Sequence, residues 1–186
     1  MVKSLGKFLI PFVGILLVVI AVLSFVKQRV GSQGGIVHTG QTQIALGTVL
    51  PDLVLTDSDG KSSALSALQG KVTLINFWAS WCEACLTEMP SLVALHNAYK
   101  TKGLNVVFVN VDEFPDSAIP KFKRQFKIDF PVYVDKGSKL AELFDVHAIP
   151  LTTALDHSRR VLVLESGEQD WNSADFRKLL DGWLGL

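Results

Sequence analysis

Cysteine is scarce in this sequence, which holds only Cys82 and Cys85 among 186 residues. A bridge between two cysteines so close together closes a very small loop and removes little entropy from the unfolded chain, so the pair is excluded as a major structural staple. An excess of either charge is also lacking, because 18 Lys and Arg balance 18 Asp and Glu. A nucleic-acid-binding protein needs a basic face, and we therefore predict no nucleic-acid partner.

Cysteine and histidine ligands for a structural zinc site are few as well. A structural zinc site needs four ligands, usually including a second cysteine pair. The sequence contains four histidines, none at a finger-like spacing from the cysteines: His38, His96, His147 and His157. Glu83 stands between the cysteines and indicates a hydrated site rather than two inert buried thiols. We interpret the pair as a chemically active dithiol and predict neither a metal site nor a cofactor beyond its own disulfide.

One long run without charge extends over residues 8–26. As a helix it is about 28 Å long, close to the hydrocarbon thickness of a bilayer. Lys3, Lys7 and the terminal amine precede this run, and Lys27 and Arg29 follow it. This slight excess of positive charge before the run places the N-terminus in the cytoplasm. We predict an uncleaved single-pass anchor over residues 1–26, with a cleaved signal peptide as the alternative. Residues 27–45, rich in Gly, Ser, Gln and Thr, are predicted to be a flexible tether, and residues 46–186 a folded domain.

Apolar strand patterns alternate with helical patterns in the predicted domain. Residues 72–78 and 104–111 have the continuous apolar character of strands that are buried on both faces. Further strands are predicted at 49–56, 131–135, 151–156 and 161–165. Helices or helical turns are predicted at 63–68, 82–100, 117–126 and 138–144, with a closing helix capped by Asn172. Alternation that ends in a hairpin predicts an α/β fold, a mixed central sheet flanked by helices.

The cysteine pair stands where a buried strand gives way to a helix. At a helix N-terminus, unpaired backbone N–H groups and the helix dipole stabilise a thiolate, and this is the position of Cys82. Cys85 follows one turn later, within reach of the first sulfur and further from solvent. The spacing predicts that Cys82 attacks a substrate disulfide and that Cys85 resolves the mixed disulfide.

The run GKVTLINFWASWCEACLTEMPSL at 70–92 resembles the active-site segment of the TlpA/ResA-like thioredoxin family. These are membrane-tethered bacterial thiol–disulfide oxidoreductases. Further similar segments are LPDLVLTDSDGK, VNVDE, FPVYVD and VHAIP. The resemblance covers residues 46–186 and implies a thioredoxin-like fold in this region.

The same resemblance assigns roles to residues outside the pair. Pro150 matches the cis-proline that packs beside the cysteines and leaves the backbone of Ile149 free to pair with an extended substrate. Trp81, next to the motif, is assigned with them to substrate binding. Glu88 matches a carboxylate near the cysteines, and a solvated helix residue is the alternative interpretation. Asn76 stands where ordinary thioredoxin has a buried aspartate, which leaves Glu88 as the proton-handling acid.

The motif also departs from the family pattern. Ala84 replaces a common proline, and Leu151 stands where the family often has threonine after the cis-proline. We expect Glu83, Ala84 and Asn76 to tune the redox behaviour of the pair, with the Glu83 carboxylate opposing a Cys82 thiolate.

The predicted function is that of an extracytoplasmic dithiol reductant of protein disulfides. The resemblance implies substrates such as apocytochrome c, electrons from a membrane thiol carrier, and a place on the bacterial cytoplasmic membrane with the domain facing the periplasm or the cell exterior. The alternative is a thioredoxin-like copper metallochaperone that uses Cys82, Cys85 and His147. A peroxidase has no support, because no peroxidatic motif or second cysteine arrangement is present.

Overall fold

The computed structural model describes residues 44–68 and 70–186 of the chain. The predicted anchor at residues 8–26 lies outside these residues, as does nearly all of the predicted tether at 27–45. Among the described residues, no helix combines the length and the apolar character needed to cross a membrane.

The described part of the chain alternates strands and helices as the sequence predicts. Its strands are β1 Val54–Asp57, β2 Ser62–Ala64, β3 Val72–Trp78, β4 Leu104–Asn110, β5 Val132–Val134, β6 Leu151–Asp156 and β7 Val161–Ser166. Its α-helices are α1 Glu83–Tyr99, α2 Pro115–Phe126, α3 Lys139–Leu143 and α4 Ala174–Leu184. Two short 3-10 segments lie at Leu65–Leu68 and Lys100–Lys102.

All seven strands form one mixed sheet in the order β2-β1-β5-β4-β3-β6-β7. Strands β3, β4 and β5 are parallel, while β6 pairs antiparallel with both β3 and β7. At the other edge β1 pairs antiparallel with β5 and β2. The predicted α/β fold with a mixed central sheet is therefore confirmed.

Strand β3 is an interior strand of the sheet, between β4 and β6, and all seven of its residues are buried. Leu74 and Trp78 point to one face of the sheet and pack with residues of α1, α2 and α4. Ile75 and Phe77 point to the other face, in a second cluster. This alternation follows from the two-residue period of a strand and leaves Asn76 on the face that α1 covers.

Two element boundaries near the start of the domain differ from the prediction. The first strand begins at Val54 rather than at residue 49, and Val49 forms an isolated bridge to Arg160 instead. Pro51 lies between them and has no N–H to donate to a ladder, so it separates the bridge from the strand. The predicted helical turn at 63–68 is divided between β2 and the 3-10 segment Leu65–Leu68.

The predicted cap of the closing helix is wrong by one residue. Ser173 is the N-cap of α4, and its hydroxyl accepts a hydrogen bond from the Phe176 N–H at 3.3 Å. Asn172 turns its carbonyl oxygen to Arg177 instead, accepting from Nε at 2.8 Å and Nη2 at 2.6 Å. Asn172 and Ser173 are both residue types that cap helices. Because the carbonyl oxygen of Asn172 is occupied by the guanidinium of Arg177, Ser173 caps the helix.

Candidate active site

Three loops meet at the edge of the sheet where β3 ends. Strand β3 leads there into residues 79–82. Strand β6 runs antiparallel to β3 with Leu151 opposite Phe77, so the loop before β6 arrives beside the end of β3. Strand β7 in turn places Ser166 opposite Leu151, so the loop 167–173 begins at the same edge. Residues far apart in sequence are therefore brought together by strand register alone.

The cysteine pair lies at the start of α1 and is present as a disulfide, with an S–S distance of 2.06 Å. Cys82 is the N-cap in an extended conformation, and its sulfur accepts a hydrogen bond from the Cys85 N–H at 3.2 Å. This donor is one of the N–H groups that a helix leaves unpaired at its first turn. Cys82 remains 7% exposed and Cys85 is fully buried, so a substrate disulfide reaches the first sulfur before the second.

The loop before β6 faces the pair. The Ile149–Pro150 peptide bond is cis, as the resemblance implied, and the Ile149 carbonyl oxygen lies 3.7 Å from the Cys82 sulfur. Within residues 44–68 and 70–186, the Ile149 N–H makes no backbone hydrogen bond. Among these residues the Ile149 N–H is thus left without a backbone partner close to the reactive sulfur.

The remaining residues of the motif face solvent or lie near it. Trp81 is 72% exposed, which is unusual for so large an apolar side chain. Glu83 is exposed and Ala84 half-buried in the first turn of α1. The structure therefore places a large aromatic surface and one carboxylate immediately on either side of Cys82 in the chain.

Glu88 is a buried carboxyl one helical turn after Cys85, with only 2% of its surface exposed. Its Oε1 accepts from Asn76 Nδ2 at 2.7 Å, and its Oε2 accepts from the Trp171 Nε1–H at 3.0 Å and the Gln169 N–H at 3.2 Å. Burial disfavours the charged form and raises the pKa of Glu88, and these hydrogen bonds offset only part of that rise. The alternative interpretation of Glu88 as a solvated helix residue is wrong.

Asn76 links Glu88 to β6. Its side chain is fully buried, and its Nδ2 also donates to the Thr152 hydroxyl at 2.8 Å. Among the described residues its Oδ1 has no hydrogen-bond partner. The amide can therefore serve both protonation states of Glu88: its NH₂ donates to a carboxylate, and, turned over, its carbonyl accepts from a carboxylic acid.

Two contributors to the site were missed by the sequence analysis. Asp112 belongs to the VNVDE segment, but no role was predicted for it. Its two carboxylate oxygens accept from the Ser80 N–H at 3.1 and 3.0 Å, which holds the loop leading to Cys82. A polar residue just after a buried parallel strand was the available signal, since such strands end at the site edge. Trp171 had no such signal, because it lies 83 positions from the carboxyl it contacts.

His147 does not take the place that the copper alternative required. It is 84% exposed, and its Nε2 lies 3.0 Å from the Asp145 carboxylate. In the part of the chain that the structure describes, no three His, Cys, Asp or Glu side chains are grouped to hold a metal ion. No contact in the site favours copper binding over thiol–disulfide exchange.

The raised pKa of Glu88 predicts how the variant Glu88→Gln behaves. A carboxyl with a raised pKa in the folded state contributes stability that is complete below its unfolded pKa and is lost as pH rises through its folded pKa. Wild-type protein should therefore lose stability relative to Glu88→Gln between pH 4 and pH 8, by on the order of 1 kcal/mol. Denaturant unfolding of the oxidised protein at both pH values measures this.

Glu165→Gln, at an exposed carboxyl on β7, is the matched control. Its stability difference from wild type should change much less between the two pH values. An equally flat difference for Glu88→Gln would show that the pKa of Glu88 is not raised.

Comparison with known proteins places this geometry in a family. The model of the AhpC/TSA family matches residues 46–163. ResA, a thiol-disulfide oxidoreductase, is 35% identical in Geobacillus kaustophilus over 129 residues, which cover 69% of this chain and 74% of that protein. ResA of Bacillus subtilis is 32% identical over 154 residues, or 83% of this chain and 82% of that protein.

A solved structure gives the same result. The crystal structure of a Chlorobium tepidum protein assigned as thiol:disulfide interchange protein DsbE superposes with a TM-score of 0.69 at 29% identity, covering 77% of this chain and 100% of that one. The resemblance to ResA-like proteins is thus confirmed. Because family match, relatives and paired cysteines agree, the chain belongs to the AhpC/TSA family and is a thioredoxin-like thiol–disulfide oxidoreductase.

Proposed function

We propose that this oxidoreductase reduces protein disulfides, with Cys82 attacking and Cys85 resolving. This proposal rests on the unequal exposure of the two cysteines at the start of α1. Cys82 is 7% exposed, whereas Cys85 is fully buried. In the dithiol form the Cys82 thiolate attacks one sulfur of a substrate disulfide, and the other substrate sulfur leaves as a thiolate. The Cys85 thiol then loses its proton and attacks the Cys82 sulfur, which breaks the mixed disulfide and releases the remaining substrate sulfur as a thiolate. The Cys82–Cys85 disulfide forms, and two electrons have passed to the substrate.

The buried position of Cys85 creates a need for a proton acceptor inside the protein. Glu88 lies on the same face of α1 one turn later, and residues at this spacing are neighbours on a helix. Its raised pKa brings the carboxyl towards the range in which it exchanges protons near neutral pH. We assign to Glu88 the acceptance of the Cys85 proton in the resolving step.

The substrate is held by backbone and aromatic surface in this proposal. The unpaired N–H and the carbonyl of Ile149 suit an extended polypeptide that adds to the edge as a short strand, with Pro150 shaping the approach. The exposed Trp81 ring offers apolar contact on the other side of Cys82. Contacts of this kind recognise an extended chain around its cysteine rather than one particular sequence.

The direction of electron flow follows from the charges near Cys82. A strongly oxidising pair needs a well-stabilised thiolate on the exposed cysteine. The dipole of α1 and the Cys85 N–H favour that thiolate, whereas the adjacent Glu83 carboxylate and an ionised Glu88 oppose it. The two carboxylates weaken the stabilisation of the Cys82 thiolate, and a weakly stabilised thiolate favours a reductant over a strong oxidant. The proposal includes apocytochrome c as a substrate and a membrane thiol carrier as electron donor, both supported by the family resemblance.

The proposal also places the protein on the bacterial cytoplasmic membrane as a single-pass protein, with residues 46–186 facing the periplasm or the cell exterior. Its support is the uncharged run at residues 8–26, whose length matches a bilayer. A position outside the cytoplasm would suit a chain whose only cysteines form an exchangeable pair.

Trapping variants test the assigned cysteine roles. Cys82→Ser should reduce insulin disulfides no faster than background, because the attacking sulfur is gone. Cys85→Ser should still attack but accumulate mixed disulfides with substrate, which non-reducing electrophoresis detects. Accumulation in Cys82→Ser and not in Cys85→Ser would show that the roles are reversed.

The reduction potential tests the direction. Equilibration with glutathione should give a value nearer to that of thioredoxin, about −270 mV, than to that of DsbA, about −120 mV. Glu83→Gln should raise the potential by on the order of 10 mV, since loss of the carboxylate stabilises the Cys82 thiolate. Glu142→Gln, at the short helix α3, is the control and should leave it unchanged. A wild-type value near −120 mV would contradict a reductant.

Membrane fractionation tests the location. The full chain should stay with the membranes after an alkaline carbonate wash, because an inserted apolar helix resists extraction. A peripheral membrane protein from the same cells is the control and should be released. Recovery of a mature chain that begins near Phe25 would show that the segment is a cleaved signal peptide instead.

A further inference from the structure

The loop between β7 and α4, residues 167–173, contacts two other parts of the site and is called here the bracing loop. At its start the Gly167 N–H donates to the Pro150 carbonyl at 2.9 Å. Further along, the Gln169 N–H and the Trp171 Nε1–H donate to Glu88 Oε2. The bracing loop therefore makes hydrogen bonds both to the loop before β6, here called the cis-proline loop after Pro150, and to the buried carboxyl of α1.

Trp171 is itself held firmly in place. Its side chain is 2% exposed, and its ring packs edge-on against Phe176, with 4.9 Å between ring centroids. Its own backbone N–H donates to the Ser91 hydroxyl at 3.1 Å. Because packing and a backbone hydrogen bond both restrain the residue, the direction of its indole N–H is set before Glu88 ionises.

The two carboxylate oxygens of Glu88 meet different kinds of hydrogen-bonding groups. Oε2 meets the Trp171 indole N–H and a backbone N–H, which can only donate. Oε1 meets Asn76, whose amide can donate or, turned over, accept. A proton on Oε2 would confront two donors, whereas a proton on Oε1 finds an acceptor. The exchangeable proton therefore belongs on Oε1.

We propose that Trp171 is a positioning residue for thiol–disulfide exchange, which holds Glu88 Oε2 as a permanent acceptor and so keeps the proton of Glu88 on Oε1 and able to leave. This inference rests on the proposed proton-handling role of Glu88. In this assignment Trp171 acts only through the carboxyl of Glu88.

The surroundings of Glu88 determine the sign of the expected effect. Asn76 approaches from β3 and Gln169 and Trp171 from the bracing loop; each donates to the carboxylate and lowers its pKa. Glu168, also in the bracing loop, adds a negative charge that raises it, in the same direction as burial. On α1 itself, Cys82 and Cys85 are disulfide-bonded and do not titrate in the oxidised protein. Loss of the Trp171 donor must therefore favour the neutral carboxylic acid.

The first test is a titration of Glu88 in the oxidised full chain in detergent micelles, followed by carboxyl carbon NMR. Trp171→Phe keeps an aromatic ring but removes the N–H, and it should shift the Glu88 midpoint to higher pH. Trp183→Phe, a half-buried tryptophan on α4, is the matched control and should leave the midpoint unchanged. An unchanged midpoint in Trp171→Phe would overturn the proposal.

A wild-type measurement covers the case in which Trp171→Phe does not fold. The indole N–H resonance of Trp171 should shift with pH at the same midpoint as the Glu88 carboxyl carbon, while that of Trp183 should not follow it. A Trp171 resonance that stays flat through the Glu88 titration would also overturn the proposal.

The final readout links Trp171 to the thiols. In the reduced protein, Trp171→Phe should move the pH profile of Cys82 alkylation towards lower pH, because a neutral Glu88 opposes the thiolate less. Glu88→Gln should move it further in the same direction, and the double variant should match Glu88→Gln alone. A double variant that moves beyond Glu88→Gln would overturn the assignment of Trp171 to this route.

The two levels of the proposal fail differently. If Trp171→Phe raises the Glu88 midpoint but Glu88→Gln leaves the alkylation profile unchanged, the proton-handling role of Glu88 is wrong, and Trp171 then has no positioning role in exchange. If Glu88→Gln shifts the profile and Trp171→Phe changes neither measurement, the role of Glu88 stands and the inference about Trp171 is overturned.

Discussion

Burial of the Glu88 carboxyl is the constraint on which the arrangement of the site depends. A carboxyl with 2% of its surface exposed loses nearly all its hydration, and this costs several kcal/mol unless hydrogen bonds replace the water. The replacements come from Asn76 on β3 and from Gln169 and Trp171 on the bracing loop. Because no donor lies on the helix that carries Glu88, the acid is satisfied only when strand, helix and loop are all in place.

Sheet register provides this convergence. Strand β6 is antiparallel to both β3 and β7, so its first residue, Leu151, lies opposite both Phe77 and Ser166. The end of β3, the cis-proline loop and the bracing loop consequently open at one edge. The site residues divide in the same way: Cys82 lies beside Ile149, whose N–H has no backbone partner among the described residues, while Cys85 and Glu88 are buried. The fold thereby keeps the partly exposed Cys82 sulfur apart from the buried carboxyl of Glu88.

Much of the fold could be predicted from local pattern. Residues 72–78 had no polar alternation, and the structure buries all seven of them in an interior strand of the sheet. Local pattern was less reliable where two neighbours could play the same part. Asn172 and Ser173 are both good N-caps, and only the contact between Asn172 and Arg177 leaves the cap to Ser173. Similarly, the strand predicted from residue 49 begins only at Val54, because Pro51 cannot donate to a ladder and Val49 bridges to the distant Arg160 instead.

The sequence by itself determined the chemistry of this protein: two cysteines at the spacing of one helical turn, after a strand that must be buried, can form an exchangeable disulfide at a helix N-terminus. Tertiary structure alone decided the state of Glu88. Its position on α1 is compatible with a solvated side chain, and its burial depends on Trp171, 83 positions away. The physical reason is the different range, along the sequence, of the interactions involved. Helix caps and strand periodicity act over a few residues, whereas the desolvation of a carboxyl is set by every element that packs against it.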